Sequence, residues 1–239
     1  MPKNVEKMSV NYSPNFNLRK RSNSQLKYLI FHYTGMVSEN AAIRKLTSTK
    51  SKVSCHYFIK TNGEIVQIVP DLYIAWHAGI SSWKNDKNLN PNSIGIEISN
   101  PGHEHSYKNY NLKQINSIIK LSKKLKKKYK IKKENVLGHS DIAPLRKIDP
   151  GEKFPWKLLS KKKICIWHNL SEKNCKKLRK IILKDGKEFY KLLFKFGYKF
   201  TNNSKEKIKI FKNFQRRFRP ELISSVVDKE CFVIIKSLI

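Results

Sequence analysis

Tyr28-Leu29-Ile30-Phe31-His32-Tyr33-Thr34 is an unbroken run of aromatic and aliphatic residues around one imidazole. A short apolar run without glycine or proline reads as a buried strand, here over residues 26–34. A histidine near its end can project from the sheet edge into a cleft. A second imidazole, His139, stands in Val136-Leu137-Gly138-His139-Ser140-Asp141-Ile142-Ala143-Pro144. A carboxylate, Asp149, stands in Arg146-Lys147-Ile148-Asp149-Pro150-Gly151. Two imidazoles and one carboxylate suit zinc, whose catalytic sites keep three protein ligands and leave a fourth position for water. Only a folded domain can bring residues so far apart in sequence together.

Two further residues belong with this set. Glu97 falls inside the apolar strand Ser93-Ile94-Gly95-Ile96-Glu97-Ile98, where a carboxylate is costly unless paired or functional. Beside a metal-bound water it can act as general base. Lys147 precedes Asp149 by two residues and can hold a developing oxyanion by charge. Singly, each residue has a plainer reading: His32 and His139 as satisfied core histidines, Asp149 as part of a turn, Glu97 facing solvent, Lys147 as a surface lysine. Jointly, metal, base and cation point to a hydrolase acting on an amide.

Working outward, residues 1–24 are polar and read as an irregular N-terminal arm. A short helix is expected over 38–46 and strands over 53–59 and 64–69, joined by the hairpin dipeptide Asn62-Gly63. Another strand covers 94–98, with Gly95 permitting close backbone approach. The clearest helix is 112–129, where Leu112, Ile115, Ile118, Ile119 and Leu125 recur at helical spacing behind an Asn111 cap with Gln114 at the capping-box position. A short strand at 136–137 leads into the loop with His139 and Asp149. Strands with interspersed helices predict an α/β fold, a mixed central β-sheet flanked by helices, over a catalytic domain at 25–160. Residues 172–239 lose the strand pattern. Three helical stretches, 189–196, 208–218 and 231–238, punctuated by Gly186 and Gly197, predict a small C-terminal three-helix domain.

Trp76-His77-Ala78-Gly79 can line a sugar or peptide groove or pack under a loop, and His56 can face the same cleft. His103 and His105 lack helical spacing and do not read as a second metal pair. No phosphate-binding glycine loop and no nucleophile elbow is present.

The 239 residues carry a formal net charge of +32, mostly from lysine. That surplus is either compositional bias or attraction to a polyanion, and negatively charged wall polymers fit it. Nucleic-acid readers more often use arginine, so nucleic acid is not the expected partner. Cys55, Cys165, Cys175 and Cys231 form no CxxC pair and read as free thiols. No apolar run is long enough for a transmembrane helix. Residues 1–17 lack an apolar h-region, which predicts a cytoplasmic protein, with the periplasm or cell envelope as the alternative. A monomer is expected.

Seven segments in order then resemble one family: Ile30-Phe31-His32-Tyr33-Thr34, Ser54-Cys55-His56-Tyr57-Phe58-Ile59, Asn62-Gly63-Glu64-Ile65, Ala75-Trp76-His77-Ala78-Gly79, Ser93-Ile94-Gly95-Ile96-Glu97, Gly138-His139-Ser140-Asp141-Ile142-Ala143-Pro144 and Lys147-Ile148-Asp149-Pro150-Gly151. The chain resembles the zinc-dependent N-acetylmuramoyl-L-alanine amidases of type 2, the AmpD/AmiD-like family, over about residues 12–157. The resemblance implies that fold, His32, His139 and Asp149 as zinc ligands, Glu97 as catalytic carboxylate, Lys147 as transition-state cation, and a peptidoglycan or muropeptide substrate. Cys55 stands where phage relatives carry a catalytic tyrosine, and Asp149 where they ligate zinc with cysteine. Both departures side with bacterial hydrolases that rely on a glutamate. Phe214-Gln215-Arg216-Arg217-Phe218-Arg219-Pro220 is similar to the three-helix peptidoglycan-binding module, with a helical cap on the amidase as the alternative. The expected activity is hydrolysis of the amide between the lactyl group of N-acetylmuramic acid and L-alanine; the rival reading is a peptidoglycan-binding protein without catalysis.

Overall fold

The structure, a computed structural model, describes residues 9–239. Two short strands, β1 (Ser9–Val10) and β2 (Phe16–Asn17), precede β3 (Tyr28–Tyr33) and helix α1 (Glu39–Thr47). Strands β4 (Tyr57–Ile59), β5 (Ile65–Gln67), β6 (Ile74–Ala75), β7 (Ser82–Trp83), β8 (Asp86–Lys87) and β9 (Ser93–Ile98) follow. Then come α2 (Leu112–Tyr129), β10 (Val136–Gly138), α3 (His139–Ile142) and α4 (Trp156–Lys161). The chain closes with α5 (Glu172–Arg179), α6 (Lys187–Phe196), α7 (Ser204–Phe218) and α8 (Lys229–Leu238).

The central sheet has the order β1-β5-β4-β9-β3-β10 and is mixed. Strands β4, β9, β3 and β10 run parallel, while β4 and β5 are antiparallel across the Asn62-Gly63 turn. Gly63 takes a left-handed conformation there, φ +86°, which glycine tolerates best.

Period-two alternation divides the sheet into two faces. Leu29 and Phe31 of β3 and Ile94, Ile96 and Ile98 of β9 bury against Ile118, Leu121 and Leu125 of α2. Tyr28 and Ile30 point the other way, with Leu137 of β10, into a core built with Phe189, Phe211, Phe214 and Ile234 of the C-terminal helices. The same alternation puts His32 and Glu97 on this second face. Residues of α1 close a third cluster over Phe58 and Val66.

Helix α2 spans the predicted residues. Asn111 accepts a hydrogen bond from the Gln114 amide, and the Gln114 side chain accepts from the Asn111 amide. Its fully buried aliphatics contribute about 1.5–3 kcal/mol each. Repulsion between neighbouring lysines costs only tenths of a kcal/mol per pair. The helix therefore forms despite its lysine-rich last turns.

Two elements differ from expectation. Residues 1–8 of the predicted arm lie outside the described residues. From Ser9 on it is ordered: β1 pairs with β5, β2 pairs with β6, and Arg21 is buried with its guanidinium donating to the carbonyls of Asp71, Tyr73, Asn90 and Ser93. Open strand edges recruited these polar residues, and such pairing leaves no local pattern. Beyond residue 172, α5 joins the three expected helices. It buries only Cys175, so it carries no apolar periodicity to read.

Candidate active site

At the C-terminal end of β3, His32 meets residues from a distant loop. Its Nδ1 lies 3.0 Å from His139 Nδ1 and 3.2 Å from Asp149 Oδ2, and His139 Nδ1 lies 3.1 Å from the same oxygen. All three residues are buried. His139 opens α3 directly after β10, so the parallel pairing of β3 with β10 delivers both imidazoles to one place. Asp149 is tied back by its own carbonyl, which accepts from the Ser140 amide at 2.8 Å.

The outer nitrogens decide what the inner ones can do. His139 Nε2 is 3.1 Å from the Ala78 carbonyl, which can only accept, so Nε2 carries the proton. Ser93 Oγ donates to the Leu89 carbonyl and therefore accepts from His77 Nε2 at 3.1 Å. His77 Nδ1 is then an acceptor and takes the Nε2 proton of His32 at 3.1 Å. Both Nδ1 atoms are thus left with bare lone pairs facing a carboxylate oxygen. Burial and the neighbouring His139 hold the pKa of His32 down to about 4, and burial with His32 and His56 keeps His77 well below the usual range, so both rings are neutral at pH 7. Asp149 is held below the usual carboxylate range: burial would raise its pKa, but a proton on His139 or His32, the place a bound cation would take, lowers it.

Three acceptors within 3.2 Å of one another call for a cation between them. A tetrahedral ion with bonds of about 2.0–2.1 Å spaces its ligands by about 3.3 Å, and widening the three edges by about 0.1–0.3 Å accommodates it. Acceptors on the outer ring nitrogens, such as the Ala78 carbonyl and His77 Nδ1, are what orient metal-binding imidazoles. The donor set fits a divalent metal.

Glu97 sits on β9 in register with His32. Its Oε2 is sealed from solvent and has no hydrogen-bond partner among the described residues. Burial first and the Asp149 charge second push its pKa well up, while Lys147 and Lys45 pull the other way. Glu97, Trp76, His77, His139, Lys147 and Asp149 line one cleft of about 430 Å³. Trp76 is half-buried, its Nε1 donating to Asn17 at 2.6 Å. Gly95 stands opposite His77, and any Cβ there would occupy the space of its ring.

His56 is placed elsewhere. It is fully buried behind the cleft, with Nδ1 accepting from the Gly95 amide and Nε2 engaged by Arg21 and the Tyr73 carbonyl. Strand alternation alone could not tell which side of the wall it faces. His103 lies at the rim, between Tyr33 and Glu152. The bonding role of His77 and the participation of Ala78 and Ser93 were not legible in sequence; the close Gly95 was the one local sign.

Residues 22–152 match the family model described as N-acetylmuramoyl-L-alanine amidase. The chain belongs to that family. It is 35% identical to the N-acetylmuramoyl-L-alanine amidase AmiD of Escherichia coli K12 over 90% of this chain and 83% of that protein. Among solved structures it is similar to the E. coli AmiD complex with anhydro-N-acetylmuramic acid-L-Ala-D-gamma-Glu-L-Lys, with TM-score 0.81, 32% identity and coverage of 93% and 91% of the two chains. AmpDh3 of Pseudomonas aeruginosa in complex with anhydromuramic pentapeptide matches with TM-score 0.79 and 28% identity, over 99% of this chain and 96% of that one. The protein is thus an N-acetylmuramoyl-L-alanine amidase of the type 2 fold. It hydrolyses the amide between N-acetylmuramic acid and L-alanine of peptidoglycan or muropeptides, in cell-wall turnover. The reading as a wall-binding protein without catalysis gives way to this one. No helix among the described residues is long and apolar enough to cross a membrane.

Proposed function

We propose that this amidase is zinc-dependent and that His32, His139 and Asp149 hold the ion. The observation behind this is the convergence of two proton-free Nδ1 atoms and one carboxylate oxygen within 3.2 Å. Bound zinc supplies Lewis-acid polarisation of the scissile carbonyl and lowers the pKa of a bound water to about 7. Glu97, desolvated and unpaired at Oε2, takes a proton from the attacking water. Lys147 offsets the negative charge gathering on the carbonyl oxygen. As the new C–O bond forms and the C–N bond breaks, Glu97 returns the proton to the leaving L-alanine nitrogen. The lactyl acid then gives up its remaining proton to the freed amine, so the products part as carboxylate and ammonium.

Trp76 and His77 form one wall for the substrate. His56 has no free nitrogen to offer, so we assign it to the support of that wall. The substrates are muropeptides and peptidoglycan, and the working form is a monomer. The chain divides into an arm at 1–24, a catalytic part at 25–160 and a helical part at 172–239 of the peptidoglycan-binding kind.

Glu97→Gln tests the mechanism. The variant should bind zinc as the wild type does and lose about 10²–10⁴-fold in release of free peptide from a muropeptide. Undiminished turnover refutes the role of Glu97; wild-type protein that turns over fully after chelation refutes the metal.

A further inference from the structure

We propose that helix α7, through Asn213 and Arg217 and aided by Tyr198 after α6, is a positioning element of the active site that holds the loop bearing His139, Lys147 and Asp149. The inference rests on the metal and Lys147 roles proposed above. It gives the C-terminal helices a part in turnover itself, apart from any hold on the wall.

Asn213 is 1% exposed, and its amide donates to two carbonyls of the loop, Pro144 at 2.9 Å and Lys147 at 3.0 Å. These bonds bracket the turn just before Asp149. They fix the backbone from which the Lys147 side chain reaches the cleft. Both carbonyls, that of Pro144 buried, would lose this donor if the amide were removed.

Arg217 and Tyr198 act on the other end of the loop. The Asp141 carboxylate is fully buried and accepts from three donors: the Gly138 amide at 2.7 Å, Arg217 at 2.5 Å and the Tyr198 hydroxyl at 2.6 Å. Gly138 and Asp141 flank His139. Arg217 also donates to the Val136 carbonyl at 2.9 Å and lies over the Trp156 ring. Two of the three donors that set Asp141, and hence the pitch of α3, therefore come from the C-terminal part of the chain, one from α7 and one from the turn after α6. An anchor for wall polymer would need none of these contacts. Its side chains would face outward, whereas all three of these are buried.

The test uses the full chain and a small soluble muropeptide, so that wall attachment cannot contribute. Asn213→Leu, Tyr198→Phe and Arg217→Met are compared with wild type for zinc dissociation constant, by competition with a chelating indicator, and for kcat and KM. Ile235→Val, in the buried face of α8, is the stability control. The expected result is a zinc dissociation constant raised about tenfold or more and kcat reduced by a similar factor. KM should stay within about twofold, while Ile235→Val lowers the melting temperature and leaves zinc affinity alone. If Arg217→Met does not fold, the other two variants decide. Wild-type zinc affinity and kcat in folded Asn213→Leu and Tyr198→Phe overturn the proposal, as does an equal loss of zinc affinity in Ile235→Val. Wild-type protein that binds no zinc overturns the parent reading and this inference with it; a working wild type beside unchanged variants overturns this inference alone.

Discussion

A proton on the wrong nitrogen would turn His32 from an acceptor into a donor. What prevents this is the relay from His32 through His77 and Ser93 to the Leu89 carbonyl. Neutral imidazole binds a metal through whichever nitrogen lacks the proton, and the partner of the other nitrogen makes that choice. His77→Phe removes the acceptor while keeping the ring's bulk. Zinc affinity should fall about 10–100-fold, measurable by indicator competition; an unaltered affinity would mean that the relay does not orient His32. Gly95→Ala should act the same way more severely, because its methyl group displaces the His77 ring. The individual site residues were legible in sequence as His, His, Asp, Glu and Lys in suggestive settings. The relay was not, since Ala78, Ser93 and Leu89 act through backbone or hydroxyl atoms that any sequence supplies.

Among the elements, α2 and β9 are read straight from their patterns, because each buries one periodic face. The joints between elements are less visible. Asp71, in the loop after β5, is 8% exposed and accepts from the hydroxyls of Tyr57 on β4 and Tyr129 on α2, both at 2.5 Å, and from Lys128 at 2.9 Å. Burial alone would raise its pKa, but these three donors lower it. A carboxylate with a depressed folded pKa contributes stability that is whole above its unfolded pKa of about 3.9 and is lost as pH falls through the folded value. Asp71→Asn should cost about 1–3 kcal/mol at neutral pH. Lys128 is half exposed and adds little to this; the two tyrosines carry it. Urea midpoints at pH 7, 5 and 3 should show the gap between variant and wild type closing as the pH drops below about 4. A gap that stays constant would assign the loss to packing instead of charge.

For the molecule as a whole, the excess of basic residues matters more than any pair. With 50 lysines and arginines against 18 aspartates and glutamates, cations outnumber anions by 32. Exposed charge acts through long-range attraction, and salt screens it over about 8–10 Å at physiological strength. If the surface serves attraction to anionic wall polymer, raising salt from low to high should reduce kcat/KM on whole sacculi several-fold more than on a small muropeptide. Equal salt sensitivity would leave the lysines as compositional bias. The same scale holds the C-terminal helices in place. Trp83 of the β7–β8 hairpin is 1% exposed and meets Phe196 and Tyr198 edge-on. One aromatic core thus runs from the sheet into α6, α7 and α8.

The amino-acid sequence by itself determined five of the six strands of the central sheet, the long helix and the family. These depend on local periodicity and on residue type, both of which survive in a linear text. Tertiary structure alone decided that His56 is walled off while His77 faces the cleft, that the polar arm supplies sheet edges and a buried arginine, and that α7 holds the loop with His139, Lys147 and Asp149. Each of those outcomes rests on hydrogen bonds between residues distant in sequence, often to main-chain oxygens. Such bonds have no signature until the chain has folded back on itself.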